Sequence, residues 1–578
     1  MVSRFIIGWF FSYLLISSSF AQDLEEIIIT APLGGNFAVQ HYSADLFESA
    51  YRVQETSPGM LSPYLGPFTG NQVDQHVNGI RFSNSYFRSG PNQYWGWIPL
   101  SFTDRVIVSD GGNVGGTLNR ILSVPEDIVS ISYDSSLNGV ETTMSKSLGK
   151  LSVGVNDVDR GNVRDSEGTV PNSSYNRRSA IAEYIWNDQN VTTFLHSTSD
   201  DLRRTDKWNG GIRITGPRSG QVYNYELQQY TLLSHNYSND QLNLDLGYQN
   251  FKENVLNKTT RTQAQLDVFN LNASYEFNAL VSVYTTNQFE NIDYETIDVS
   301  KTSDTYNTYK SGVRFSTSFE EFDAMISLGY KVVDVSEVET FKSPEYSLIV
   351  TVDNYFISYD NTSNAPSYTS IKKDKVTGRG TVIPNSSLDQ EFSETWRVGY
   401  QSGRLYLDLY YKNLKDAYDQ TIIAQDTFQI VNGGWVESYG ASLQYSSNDF
   451  MNTGVSITSR VELVEATKSI ANSTETEPTS KTPPGTFYLI AEKDDYFMEL
   501  SYQPKDYDLA FKDLDDVRIF EHNRGYRIIN VGKSGNFYGQ FEYTFSINNI
   551  LNDHGRVLGS SVDVPGRGIY FNLSYMID

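Results

Sequence analysis

QLNLDLGYQ, residues 241–249, alternates without a break: Leu242, Leu244, Leu246 and Tyr248 fall on one face, and Asn243, Asp245 and Gln249 on the other. Successive side chains of an extended chain point to opposite sides, so the pattern describes a strand with one apolar and one wet face. RLYLDLYYK (404–412) repeats it, with Leu405, Leu407, Leu409 and Tyr411 opposed to Tyr406, Asp408, Tyr410 and Lys412. GIYFNLSYMI (568–577) does so again through Ile569, Phe571, Leu573, Tyr575 and Ile577. Turn signals SND (238–240), KDD (493–495) and SGN (534–536) punctuate the runs. A soluble sandwich or propeller also alternates. Here one face is consistently Leu, Tyr, Phe or Ile while the other carries Asp, Asn and Lys, and no helical pattern intervenes across residues 126–578, as in a barrel with lipid outside and water inside.

Composition narrows the function classes. The chain has 578 residues, 40 Tyr, 31 Phe and no Cys, with Lys+Arg 45 against Asp+Glu 70 and a net charge of −25. Without thiols, disulfides, zinc–thiolate centres and cysteine nucleophiles are excluded. The acidic balance argues against nucleic acid, whose phosphates need a basic footprint. MVSRFIIGWFFSYLLISSSFAQ opens with Arg4, an apolar stretch over 5–16 and a small-x-small site at Ser19, Phe20 and Ala21, which predicts a signal peptide over 1–21. No later run reaches 18 consecutive apolar residues, so a membrane crossing would have to be made by strands.

Residues 33–125 read differently: rich in Gly, Pro, Asn and Ser, with short strand-like pieces at 73–80 and 106–109. ETSPGMLSPYLGPFTGN (55–71), VNGIRFSNSYFRSGPNQYW (77–95) and DRVIVSDGGNVGGTLNRI (104–121) resemble the plug of TonB-dependent outer-membrane receptors. The resemblance continues through SNAPSYTSI (363–371), IPNSSLDQEFSETWRVGY (383–400), KTPPGTFYLIAE (481–492), FSINNILNDHGRVLGSS (545–561) and PGRGIYFNLSY (565–575). It implies an all-β fold: a transmembrane antiparallel β-barrel of about 22 strands over 126–578, with a small N-terminal plug domain over 33–125 in its lumen.

Within that resemblance LEEIIITA (24–31) looks like the TonB box, in a segment spanning 22–32. Leu24, Glu25, Glu26, Ile27, Ile28, Ile29 and Thr30 are its coupling residues. An unpaired Ile-rich segment can add itself to another sheet's edge, and Pro32, having no N–H, ends it; the alternative is a first plug strand. The implied partners are a TonB-type periplasmic energy-coupling protein, outer-membrane lipid and a small nutrient ligand, with no nucleic acid. The implied location is the outer membrane of a Gram-negative bacterium. The implied function is energised uptake of a scarce nutrient such as a siderophore or cofactor complex; the alternative is a passive or non-transporting surface barrel, an adhesin or leaky porin. Arg81, Arg88, Asn92, Gln93 and Tyr94 are the candidate ligand-binding residues at the plug apex, since Arg pairs bidentately with carboxylates or catecholates and Tyr stacks on flat ligands. The competing reading has Arg81 and Arg88 pairing with acids of the barrel wall.

The plug-like region departs from the family pattern: Gly111, Gly112, Asn113 and Val114 join a strand directly to Gly115 and Gly116, which reads as an abbreviated plug. The histidines, His41, His76, His196, His235, His522 and His554, are scattered without metal-ligand spacing and read as loop or surface residues, so no metal and no cofactor is expected. No enzyme is expected either. GGNVGG (111–116) lacks the Lys-Ser/Thr of a phosphate loop, and neither His-Glu-x-x-His nor Gly-x-Ser-x-Gly occurs.

Overall fold

The computed structural model describes residues 40–43, 53–57, 59–87, 94–109 and 111–577, apart from 167, 171–172, 205–222, 258–259, 297–298, 320–321, 374, 378–379, 425–426, 470–474, 480–481, 511–523 and 561. The segment 24–30 and the residues Arg88, Asn92 and Gln93 lie outside them.

The alternating runs close on themselves. Between Ile128 and Met576 the wall is a barrel of 22 antiparallel strands, in which the last, Gly568–Met576, pairs with the first, Ile128–Asp134. The two-residue period decides which face is buried. Leu246, Leu409 and Ile569 stand exposed at 42%, 52% and 49% on the outside, whereas Gln249 and Asp408, one face over, are 0% and 2% exposed inside. An outward apolar band and a polar interior suit a bilayer crossing. Among the described residues no helix is long and apolar enough to cross a membrane.

The barrel's two ends differ. At one, tight connections such as 149–150, 188–189, 279–280 and 403–404 join the strands; at the other, connections such as 161–174, 365–390 and 549–567 are long. The wall begins and ends at the tight-turn end, where Ile577 N–H donates to Asp127 O at 2.7 Å. A crossing needs roughly 9–11 residues per strand. Leu405–Ala424 and Thr427–Ser447, with 20 and 21, therefore continue beyond the bilayer at the long-loop end.

Inside the lumen sits the plug. Its larger sheet has the order Gln40–Ser43, Thr103–Ser109, Thr117–Leu122, Asp74–Val77, Ile80–Arg81; its smaller one comprises Val53–Ser57, Met60–Leu65 and Phe68–Thr69. Apolar clusters weld it to the wall: Phe82, Phe87, Trp97 and Phe102 pack with Ile181, Tyr230, Leu232 and Phe251, and Phe68, Trp95 and Val114 with Leu414 and Tyr488.

Three sequence expectations are corrected. The piece at 73–80 is two strands, because Asn78 and Gly79 turn the chain with φ of 49° and 78°, a conformation that glycine adopts without strain and asparagine tolerates. SGN (534–536) is not a turn but lies within the strand Tyr526–Phe537. The reversal is made by Tyr538 and Gly539 at φ of 51° and 72°, and Gly535 sits under the Tyr543 side chain of the paired strand, whose hydroxyl is 3.1 Å from where a Cβ would sit. His76 is neither a loop nor a surface residue: it lies on the plug strand Asp74–Val77, its side chain 12% exposed and in contact with Gly79 O and Asp74, whereas His196 and His235 are surface residues on wall strands, hydrogen-bonded to Thr231 and Thr192.

Candidate functional site

The plug segment from Asn78 to Ser83 follows the wall closely, and its backbone carbonyls are taken one after another by wall amides. Asn236 Nδ2 donates to Asn78 O at 2.8 Å, Asn272 Nδ2 to Gly79 O at 2.7 Å, Gln249 Nε2 to Arg81 O at 2.8 Å and Gln288 Nε2 to Ser83 O at 2.9 Å. Each amide comes from a different strand, Tyr223–Ser238, Thr260–Asn278, Leu242–Asn257 and Val281–Thr296, on the wet face of the alternation. The anchorage is neutral. At a net ~0.5–1.5 kcal/mol per hydrogen bond the four together contribute roughly 2–6 kcal/mol, enough to seat the segment and little enough for a modest pull to release.

Two buried carboxylates of the wall reinforce it through hydrogen bonds to neutral groups of the plug. Glu290 accepts from Ser85 N–H at 3.0 Å and from Ser85 Oγ at 2.5 Å. Glu391 accepts from Gln72 Nε2 at 3.2 Å, Asn364 Nδ2 at 2.8 Å and Tyr418 N–H at 2.8 Å. In the other direction Lys412 Nζ donates to Val114 O at 2.6 Å and Arg177 to Gly96 O at 2.6 Å.

Arg81 faces this seam. Its Nε donates to Asp74 Oδ1 at 2.5 Å, a guanidinium nitrogen reaches Gln288 Oε1, and His76 Nε2 lies 3.2 Å from Asp74 Oδ2. Burial opposes ionisation of Asp74, but Arg81 and His76 beside it hold its carboxyl well below the usual carboxylate range. The guanidinium is raised: burial works against it, and Asp74, with the wall carboxylate Glu290 adding, outweighs that. Arg81 thus hydrogen-bonds an acid of the plug itself and an amide of the wall, and feels the charge of the wall acid Glu290 without a direct ion pair to it. Tyr94 is buried, its ring 4.8 Å from those of both Phe87 and Trp97. The structure therefore brings Arg81 and Tyr94 into one region of the plug but into different layers of it. The wall partners escaped the sequence reading, although their signal was present: each is a polar residue on the wet face of an alternating run, and Glu391 stands in the SSLDQEFSETW motif.

On the tight-turn side of Arg81 lies a chamber of about 530 Å³, bounded by one face of the larger plug sheet and by the wall. Asp74, His76, Thr117 and Asn119 line it from the plug; Thr193, Asn236, Asp245 and Thr286 line it from the wall. It reaches the tight turn at Asp188 and Gln189. On the other side of Arg81 the lumen is filled with rings: Phe82 lies 5.5 Å from Phe87, 5.2 Å from Tyr230 and 5.4 Å from Phe251.

Two long loops fold inward onto the plug. In 365–390 the short helix Tyr368–Ile371 docks through Tyr368 N–H to Ser85 O at 2.8 Å, and the Tyr368 hydroxyl donates to Asp304 Oδ2 at 2.5 Å. Burial, and then that carboxylate, push the Tyr368 hydroxyl well above the ordinary tyrosine range. In 549–567, Ser560 Oγ accepts from Glu55 N–H at 2.9 Å and Gly559 O from the Gln54 amide. The arrangement can close a wide pore, and it ties the closure to segments on the long-loop side.

None of the protein-family models and none of the curated proteins matches the chain. Solved structures do. The FrpB iron transporter from Neisseria meningitidis (F3-3 variant) superposes with a TM-score of 0.70 at 13% identity, covering 93% of this chain and 96% of that one. The copper transporter OprC gives 0.71 at 12% identity, over 94% and 100%. The ferric yersiniabactin uptake receptor FyuA from Yersinia pestis gives 0.65 at 13%, over 94% and 98%. The shared property at these identities is the fold: the plug-in-barrel architecture that the resemblance to TonB-dependent receptors implied is the architecture of this chain.

Proposed function

We propose that the protein is an outer-membrane TonB-dependent receptor that takes up a small, scarce nutrient against its own tight binding. One observation carries this reading: a 22-strand barrel, wide enough to leave an aqueous channel, is filled by a plug that is pinned to the wall by amides and to the long-loop side by two inward-folded loops. A plain pore needs no such filling. An occluded barrel becomes useful when work done from the inner side shifts the plug, and the segment 24–30 has the composition of the peptide that would receive that work. The neighbouring structures, an iron transporter, a copper transporter and a ferric yersiniabactin uptake receptor, support transport rather than catalysis. A metal complex or siderophore is accordingly the first ligand class to screen, with Arg81, Arg88, Asn92, Gln93 and Tyr94 as the plug residues to vary.

The test uses the whole receptor in cells. Ile28→Pro removes a donor from the strand that segment would add to its partner. Uptake of the ligand found by screening should be lost while surface binding is kept. Uptake at the parent rate would refute the coupling and move the weight to a passive surface barrel.

A further inference from the structure

The hairpin Tyr223–Ser238/Leu242–Asn257 carries a graded series of inward pairs. At the tight turn Ser238 with Asn243, and then Asn236 with Asp245, line the chamber; the next pair is Ser234 with Gly247, then Leu232 with Gln249, then Tyr230 with Phe251. The plug answers each step. Ile80 lies against Gly247 so closely that a Cβ there would be 2.5 Å from Ile80 Cγ2; Gln249 holds Arg81 O; Phe82 meets Tyr230 and Phe251. Alternate rungs of a strand are about 7 Å apart, so the wall changes from a wet, amide-lined cavity to a dry aromatic layer within two or three rungs.

We infer that the chamber is the inner half of the uptake path, already open to the tight-turn side in the resting protein, and that the seal across this path is the short stretch Ile80 to Phe82 against the hairpin. The inference rests on the uptake reading above and deepens it. The amides, hydroxyls and charged groups that line the chamber exchange hydrogen bonds with water and with a polar cargo at little net cost, while Ile107, Ile121, Leu122 and Val191 give it apolar surface as well. The chamber therefore takes a hydrogen-bonding solute that also carries apolar surface. Passage requires displacement of a few residues held by neutral amides, not expulsion of the whole plug, and Gly79 and Asn78 provide the turn on which that stretch ends.

Single-channel conductance of the full-length purified protein in planar bilayers tests this without ligand or energy-coupling partner, so failure here is separable from failure of the uptake reading, which the Ile28→Pro experiment addresses. Ile80→Ala/Phe82→Ala should open a steady ion conductance at least several-fold above the parent leak. Phe82→Ala alone provides a milder version if the double variant loses the heat-dependent gel migration of a folded barrel. Phe68→Ala, which opens equal space in the plug's other apolar cluster, should stay at the parent level. Since the chain has no cysteine, Thr286→Cys in the chamber can be added to the leaky variant, and a charged methanethiosulfonate should then reduce the current from either side. In the otherwise unaltered protein the same cysteine should react only from the tight-turn side. Silence of the Ile80/Phe82 variants, equal conductance from Phe68→Ala, or a Thr286→Cys that fails to react from the tight-turn side would each overturn the inference.

Discussion

Gly247→Ala tests the fit between plug and wall. The added methyl would stand 2.5 Å from Ile80 Cγ2 and 3.0 Å from its Cδ1 and Cγ1, and Ile80 is fully buried. Overfilling such a site costs about 1–3 kcal/mol. Because the wall is continuous sheet there and the segment Asn78 to Ser83 is held to it through four amide-to-carbonyl hydrogen bonds, that segment should yield first. Every 1.4 kcal/mol is tenfold in an opening equilibrium, so hydrogen exchange at the Phe82 amide, which donates to Gln75 O at 2.7 Å, should accelerate by roughly 5- to 150-fold. Ile80→Ala alone should also loosen the segment, by about 2–5 kcal/mol. The decisive measurement is the double variant: the truncated side chain leaves room for the methyl, so the combined loss should fall short of the sum by at least ~1 kcal/mol. Additivity within about 0.5 kcal/mol, the behaviour of independent sites, would refute the contact and with it the placement of the seal.

Other expectations concern the network and the loops. Asp74 has its acidity strengthened by Arg81 and His76 in the folded plug, so its contribution is fully present at neutral pH and is lost as pH falls below about 4, the ordinary carboxylate value, towards the depressed folded one. Protection of the Arg81 and Phe82 amides should fall over that window, and Asp74→Asn, which weakens the charged hydrogen bond to Arg81 while Gln288 remains at a cost of about 1.5–3 kcal/mol, should lower protection at neutral pH and flatten the acid response. Tyr368→Phe removes a hydrogen bond to a carboxylate, worth about 1.5–3 kcal/mol; exchange at the Tyr368 amide should quicken while the wall strands stay protected, and an unchanged rate would show that Asp304 does not hold the loop.

The sequence by itself determined the wall. Alternation in 241–249, 404–412 and 568–577 fixes which side chains face out because a strand offers only two faces, and one slip of register would turn every leucine inward. It also marked 33–125 as a separate kind of chain, through glycine, proline and short runs. What it left open were pairings between residues hundreds of positions apart. Arg81 had two readings, ligand or wall acid, and the fold added hydrogen-bond partners that neither named, Asp74 and Gln288. Gln249 read only as a wet-face residue, and Asn236, Asn272 and Gln288 drew no reading of their own. Their common purpose exists because barrel closure and strand stagger bring four strands to one plug segment, and no local pattern encodes which carbonyl each amide will meet. The seal at Ile80 and Gly247 is of the same kind: a glycine in a strand signals close approach of something, and only the tertiary structure decided that the something is the plug.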